Sequence, residues 1–216
     1  MRIETILDCV AAAGGSVLAD IGTDHAFIPI EAIKRGLAKK AIACDIAPGP
    51  LEIGRRNVVK EGLAGYIELR LGDGLQPIRQ GEADTVVIAG MGGLRIIGII
   101  EGGLGKICSA NLILQPQHDT SKLRRGLYGL GIKIHGEQLA KEGERFYEIL
   151  LAVKSSEMPE LTEKDFFLGI HRGELASQFY LQKKQKIESY IQRITDENEK
   201  EQARKEIAWL ERALLS

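Results

Sequence analysis

Short apolar runs rich in β-branched residues alternate with segments of helical periodicity through the first 154 positions of the chain. Strands are expected over 16–20, 40–45, 66–71, 84–89, 110–114, 131–140 and 145–153. Between the early ones, Ile3, Ile6, Leu7 and Val10 fall at helical spacing, and further helices are expected after Pro29 and after Pro48 and Pro50, where proline suits a first turn. A helix near 121–129 follows the fifth strand, whereas only short connections separate the last two, as in an antiparallel hairpin at a sheet edge. Strand–helix alternation of this kind calls for an α/β fold with a largely parallel, seven-stranded sheet. Small, polar and proline residues in KSSEMPELTE, residues 154–163, break the pattern, so we divide the chain into domains 1–156 and 157–216. The second carries two amphipathic stripes: Leu175, Phe179, Ile187, Ile191 and Ile194, then Ala203, Ile207, Leu210 and Leu214. The polar TDENEK separates them, which predicts a helical hairpin resembling an antiparallel coiled coil.

Composition narrows the classes. With 216 residues and 44% hydrophobic content the chain can bury a full core, and a formal net charge of -1 means that any nucleic acid must be met by a local patch. Cys9, Cys44 and Cys108 are far apart and lack CxxC spacing, which suggests buried thiols rather than a disulfide framework or a zinc site. With no signal-peptide pattern and no apolar run of ~18 residues, a cytoplasmic protein without a membrane partner is expected.

Candidate chemistry collects at the carboxyl ends of consecutive expected strands, where open α/β sheets bind ligands. Asp20, Gly22 and Thr23 end the first, Asp45 and Ile46 the second, Asp73 and Gly74 follow the third, and Ala89 and Gly90 end the fourth. An acidic residue ending a second strand suits the two ribose hydroxyls of an adenosine cofactor, NAD included. A pyrophosphate, however, wants backbone N–H groups and no fixed negative charge, and Asp24 would repel it. S-adenosylmethionine has no phosphate and carries a sulfonium and an ammonium, both of which a carboxylate stabilises. Asp73 is placed to accept an adenine amino group. Asp24 also has the bland reading of a helix N-cap, and His25 that of its packed neighbour.

The segments DIGTDHAFIPI, ACDIAPGPL, GDGL, IAGMGG and LILQP, in this order, resemble the TrmK family of bacterial tRNA adenine-N1 methyltransferases, which modify adenine 22 in the D-arm. The likeness covers roughly residues 1–153, with Gln117 standing where an asparagine is expected. It implies a class I methyltransferase Rossmann-like domain followed by a coiled-coil-like helical domain, with S-adenosyl-L-methionine as cofactor and tRNA as partner, and with no obligate protein partner. The cofactor set is then Asp20, Gly22, Thr23, Asp24, Asp45, Ile46, Asp73, Gly74, Ala89 and Gly90, and the residues expected at the reacting centre are Asp24, His25, Met91 and Gln115.

Adenine N1 has an in-plane lone pair and no proton, so its methylation needs position more than a base. Where amine methyltransferases commonly carry (N/D)PPY, this chain has AGMGG; Met91 would lie on a base face or fill the core, and Gln115 and Gln117 flank Pro116 within reach of an adenine edge. Phosphates could be met by Lys34 and Arg35, Lys39 and Lys40, Arg55 and Arg56, Arg124 and Arg125, or Lys183, Lys184 and Lys186, with Arg55, Arg56, Arg124 and Arg125 favoured because they follow strands that form the site. Two other functions stay open at this level: a small-molecule methyltransferase, and a noncatalytic RNA-binding protein that retains the nucleotide fold. An NAD-dependent oxidoreductase is disfavoured by the charged first loop.

Overall fold

A computed structural model describes residues 1–215, which divide into two compact units, the first Met1–Pro159 and the second beginning at Glu160. The first is a seven-stranded sheet flanked by helices. Its elements run α1 (Arg2–Ala13), β1 (Val17–Ile21), α2 (Phe27–Lys34), β2 (Lys40–Asp45), α3 (Pro48–Lys60), β3 (Ile67–Leu71), β4 (Thr85–Met91), α4 (Gly93–Gly103), β5 (Asn111–Pro116), α5 (Thr120–Gly129), β6 (Ile132–Glu142) and β7 (Arg145–Lys154). The sheet order is β3-β2-β1-β4-β5-β7-β6. All pairings are parallel except those of β7, which runs antiparallel to both β5 and β6.

The central strands are apolar at nearly every position because both faces are covered, which is the signature of a buried parallel sheet. Alternate residues serve opposite layers. Ala19, Val86, Ile88, Leu112 and Leu114 pack with Ile96 and Ile100 of α4 and with Leu123 and Leu127 of α5. Leu18, Ala41, Ala43, Val87 and Ile113 pack with Ile6, Leu7 and Val10 of α1, Ile30 of α2 and Val58 of α3. All seven strands fall where the periodicity predicts them. The first turn of α2 opens two residues ahead of Pro29, which sits within that turn, while α3 opens on Pro48 itself. α4 has no counterpart in the sequence reading.

Two cysteines, Cys9 and Cys44, are buried; Cys108 corrects the expectation, since it is exposed, with its thiol 3.3 Å from the Gly105 carbonyl oxygen. No helix among the described residues is long and apolar enough to cross a membrane.

The second unit holds α6 (Glu163–Leu168), α7 (Glu174–Ile191) and α8 (Glu197–Leu214). A capping box between Thr162 and Asp165 starts α6, and Asp196 caps α8 by accepting from the Glu199 N–H at 2.9 Å. α7 and α8 pack against each other as a helical hairpin, burying Ala176, Tyr180 and Ile187 of one and Ala203 and Leu210 of the other. The buried stripe is narrower than the sequence pattern, because Leu175, Phe179, Ile191, Ile194, Ile207 and Leu214 are only partly covered.

Candidate active site

A cleft of about 410 Å³ opens over the carboxyl ends of β1, β2 and β4, where the strand order reverses between β1 and β4. Its floor comes from the turn after β1. Gly22 and Thr23 both donate backbone N–H bonds to the Cys44 carbonyl, at 2.8 and 2.9 Å, so the turn wraps over the end of β2. Gly22 has φ 75°, and a Cβ placed there would stand 2.1 Å from the Met91 methyl. Beyond it Asp24 and Ala26 occupy the left-handed region at φ 54° and 60°, a strained backbone of the kind concentrated at binding sites. The turn is held from outside by Asn57, whose side-chain amide donates to the His25 carbonyl at 3.0 Å.

Three carboxylates reach the cleft: Asp20, Asp24 and Asp45. The Asp45 side chain is fixed by two backbone donors, the Asp24 N–H on Oδ2 at 3.1 Å and the Ala47 N–H on Oδ1 at 2.9 Å. Each oxygen keeps a lone pair for a ligand hydroxyl. Asp20 is only 3% exposed, and accepts from the Thr23 hydroxyl at 2.6 Å. Burial pushes its pKa up to about 7, against the opposing pull of the Thr23 hydrogen bond and with a further push from the Asp45 charge. A folded-state pKa raised above the unfolded value means that this group favours folding below about pH 4, and that the contribution is lost as pH climbs through about 7. The stability of Asp20→Asn relative to wild type, both free of ligand, should therefore increase between about pH 4 and about pH 8. Thermal melts across that range check it, and a constant difference would refute the assignment.

Gly22, Thr23, Ile46, Gly74, Ala89, Gly90 and Met91 also line the cleft. Asp73 does not line it, but stands on an adjoining hollow that shares Gly74, Arg95 and Ile99 with it, its carboxylate 4.0 Å from Arg95. His25 does not line it either: its ring is 3.5 Å from the Asp24 carboxylate and edge-on to Phe27. Asp24 is no helix cap, because α2 is preceded by Ala26 and has no side-chain cap. Gln115 requires a correction. It is fully buried inside β5, where its amide donates to the Pro116 carbonyl at 2.6 Å and accepts from Arg2 at 3.4 Å, so it presents no edge to the cleft.

Other cleft residues escaped the sequence reading. Arg2, Ile3 and Ile6 come from α1, Phe27 and Ile28 from α2, and Arg95 and Ile99 from α4. Phe27 is the one of these with a local signal, an aromatic ring two residues past His25, and it is 53% exposed. Near the end of the fourth strand, Gly90 at φ 79° accompanies a register shift between Ala89 and Met91. The loop after β5 closes on this bulge: the Gln117 N–H donates to the Met91 carbonyl at 2.8 Å and the Gly93 N–H to the His118 carbonyl at 3.0 Å. A Cβ on Gly93 would stand 2.6 Å from the Asp119 carbonyl oxygen, so glycine is what lets the two loops meet.

The basic pairs fare unevenly as phosphate contacts. Arg35 is bound to Glu4 and Glu31, Lys34 to Glu61, and Lys184 to Glu211. Arg124 is buried against Glu137 and Glu148, so its favoured status is corrected; Arg55 and Arg56 are exposed, with Arg55 3.4 Å from the Glu52 carboxylate.

A parallel sheet with β7 inserted antiparallel beside β5, and a carboxylate-lined cleft in place of a phosphate loop, define the class I methyltransferase architecture. The family model of TrmK, tRNA (adenine(22)-N(1))-methyltransferase, matches residues 18–215, and the chain belongs to that family. It is 40% identical over 152 residues to the tRNA (adenine(22)-N(1))-methyltransferase of Bacillus subtilis (strain 168), an alignment that spans 70% of this chain and 63% of that protein. Among solved structures it resembles Streptococcus pneumoniae Sp1610 in complex with S-adenosyl-L-methionine, with TM-score 0.88 and 32% identity over 99% of this chain and 98% of the other. M. capricolum TrmK in complex with S-adenosyl-homocysteine gives TM-score 0.85 and 25% identity over 99% and 96%.

Proposed function

We propose that this protein transfers a methyl group from S-adenosyl-L-methionine to N1 of adenine 22 in tRNA. The observation that carries the reading is the meeting of Asp20, Asp24 and Asp45 in one cleft at the strand-order reversal. Family membership and the cofactor-bound relatives support the same reading.

The residues present fit this cofactor. A cleft with three carboxylates, Asp20, Asp24 and Asp45, against two arginines, Arg2 and Arg95, and without a phosphate loop suits a ligand that is itself cationic and lacks phosphate. Asp45, with both oxygens oriented by backbone donors, is the group to hold the ribose hydroxyls. Asp20 and Asp24 supply negative charge for the cationic groups, and a bound cation favours the ionised form of Asp20. Gly22 and Met91 set how closely a ligand approaches the backbone.

When bound, the cofactor supplies an electrophilic methyl group on a positively charged sulfur. Adenine N1 offers a lone pair without a proton to remove, so the chain's task is to hold two reactants in line and keep water out. No side chain needs to act as a general base. A tRNA substrate makes the cytoplasm the expected compartment.

Calorimetry on the purified protein tests the cofactor assignment. S-adenosylmethionine should bind at one site per chain while NAD does not. Binding of NAD with S-adenosylmethionine ignored would overturn the reading.

A further inference from the structure

We propose that Gln117 reads the target adenine by its N6–N7 edge, and that Arg145 is the positioning residue that fixes how it does so. The role rests on the tRNA adenine-N1 reading above, and adds the edge of the base that the protein grips.

Gln117 is the first residue beyond β5 and lines the cleft with Gly90 and Met91. Its backbone is pinned to the Met91 carbonyl, so its side chain starts from a fixed point beside the bulge of β4. The side-chain oxygen accepts from the guanidinium of Arg145. Arginine has donors and no acceptor, so the amide atom facing it must be oxygen, and the carboxamide cannot turn end for end without losing the bond. The amide nitrogen is thereby directed to Gly90, 3.9 Å from the position a Cβ would take there. Arg145 is itself steadied, its guanidinium lying over the Tyr147 ring at 4.9 Å. Arg2, a cleft residue, lies over the same ring at 5.4 Å.

A carboxamide so held presents an N–H donor toward the cleft with a carbonyl oxygen beside it. Adenine's N7 accepts and its N6 amino group donates, which is the complementary pair. The Gln117 oxygen has a second lone pair beyond the one given to Arg145, so it can serve both. Gripping the N6–N7 edge leaves N1 uncovered for attack on the methyl group. Guanine would set its O6 against the Gln117 oxygen, acceptor against acceptor, so the same contact selects adenine.

The test uses tRNA with 7-deazaadenine at position 22, where a C–H replaces N7, beside the same tRNA with adenine. Wild-type kcat/KM should fall about tenfold on the deaza substrate, the scale of one arm of a bidentate base contact. Gln117→Ala should lose at least as much on the adenine tRNA and show no further loss on the deaza tRNA. Arg145→Ala should share that indifference to N7, and Arg145→Lys, which still offers a donor, should restore part of the preference. Affinity for S-adenosylmethionine should be unchanged in all three variants. Equal wild-type kcat/KM on the two tRNAs, or a full N7 preference kept by Gln117→Ala, overturns the inference while leaving the functional reading intact. Failure of the wild type to methylate either tRNA overturns both.

Discussion

Replacing Arg124 by alanine is expected to destabilise the protein by about 3–5 kcal/mol, the range for removing one partner of a buried ion pair. The guanidinium, on α5, is 3% exposed and is met by two carboxylates of the terminal hairpin, Glu137 of β6 and Glu148 of β7. Its Nε lies 2.6 Å from the Glu137 carboxylate, whose side chain is 1% exposed. Alanine would leave both carboxylates without this counter-charge in a place water scarcely enters, and that desolvation is what makes the loss large. Urea denaturation at neutral pH measures it, and a loss under about 1 kcal/mol would show that the carboxylates find other partners. Arg145 begins β7, so a loosened hairpin should also impair methyl transfer more than cofactor binding.

Asp45→Ala should weaken S-adenosylmethionine binding by about 1–3 kcal/mol, the cost of leaving charged hydrogen-bond partners unmade. The substitution removes the acceptor for a ligand hydroxyl, and it also strands the N–H groups of Asp24 and Ala47. The Asp24 bond secures a residue held at φ 54°, so the turn that carries the second carboxylate should relax at the same time. Asp45→Asn keeps one acceptor oxygen, and should fall between alanine and wild type. Calorimetric titration decides the matter; unchanged affinity in the alanine variant would remove Asp45 from the site.

The strand pattern was legible because a doubly covered sheet demands continuous apolar runs, and KAIACD occupies Lys40–Asp45 as expected. α4 was not legible. Gly93, Gly98, Gly102 and Gly103 depress its helix propensity, and what stabilises it is the burial of Ile96 and Ile100 against the sheet. Gly93, which ends AGMGG and opens α4, is the one of these that lets the backbone pass Asp119.

Within the site, acids and glycines at strand ends could be read because their position in the fold follows from their position in a strand. Gln115 and Gln117 looked equivalent on either side of Pro116. The first is still inside β5 with its amide satisfied within the protein, whereas the second has left the sheet and faces the cleft. Arg2 and Arg145 are brought to this region by tertiary packing of the first helix and the last strand, and no local pattern announces that.

The central claim is tested most directly by incubating the protein with labelled S-adenosylmethionine and unmodified tRNA, then analysing the nucleosides by mass spectrometry. Formation of 1-methyladenosine in tRNA with adenine at position 22, and its absence when guanine replaces that base, is the predicted result. Measurable cofactor binding without any methylated nucleoside, or 1-methyladenosine formed equally in both tRNAs, would contradict it.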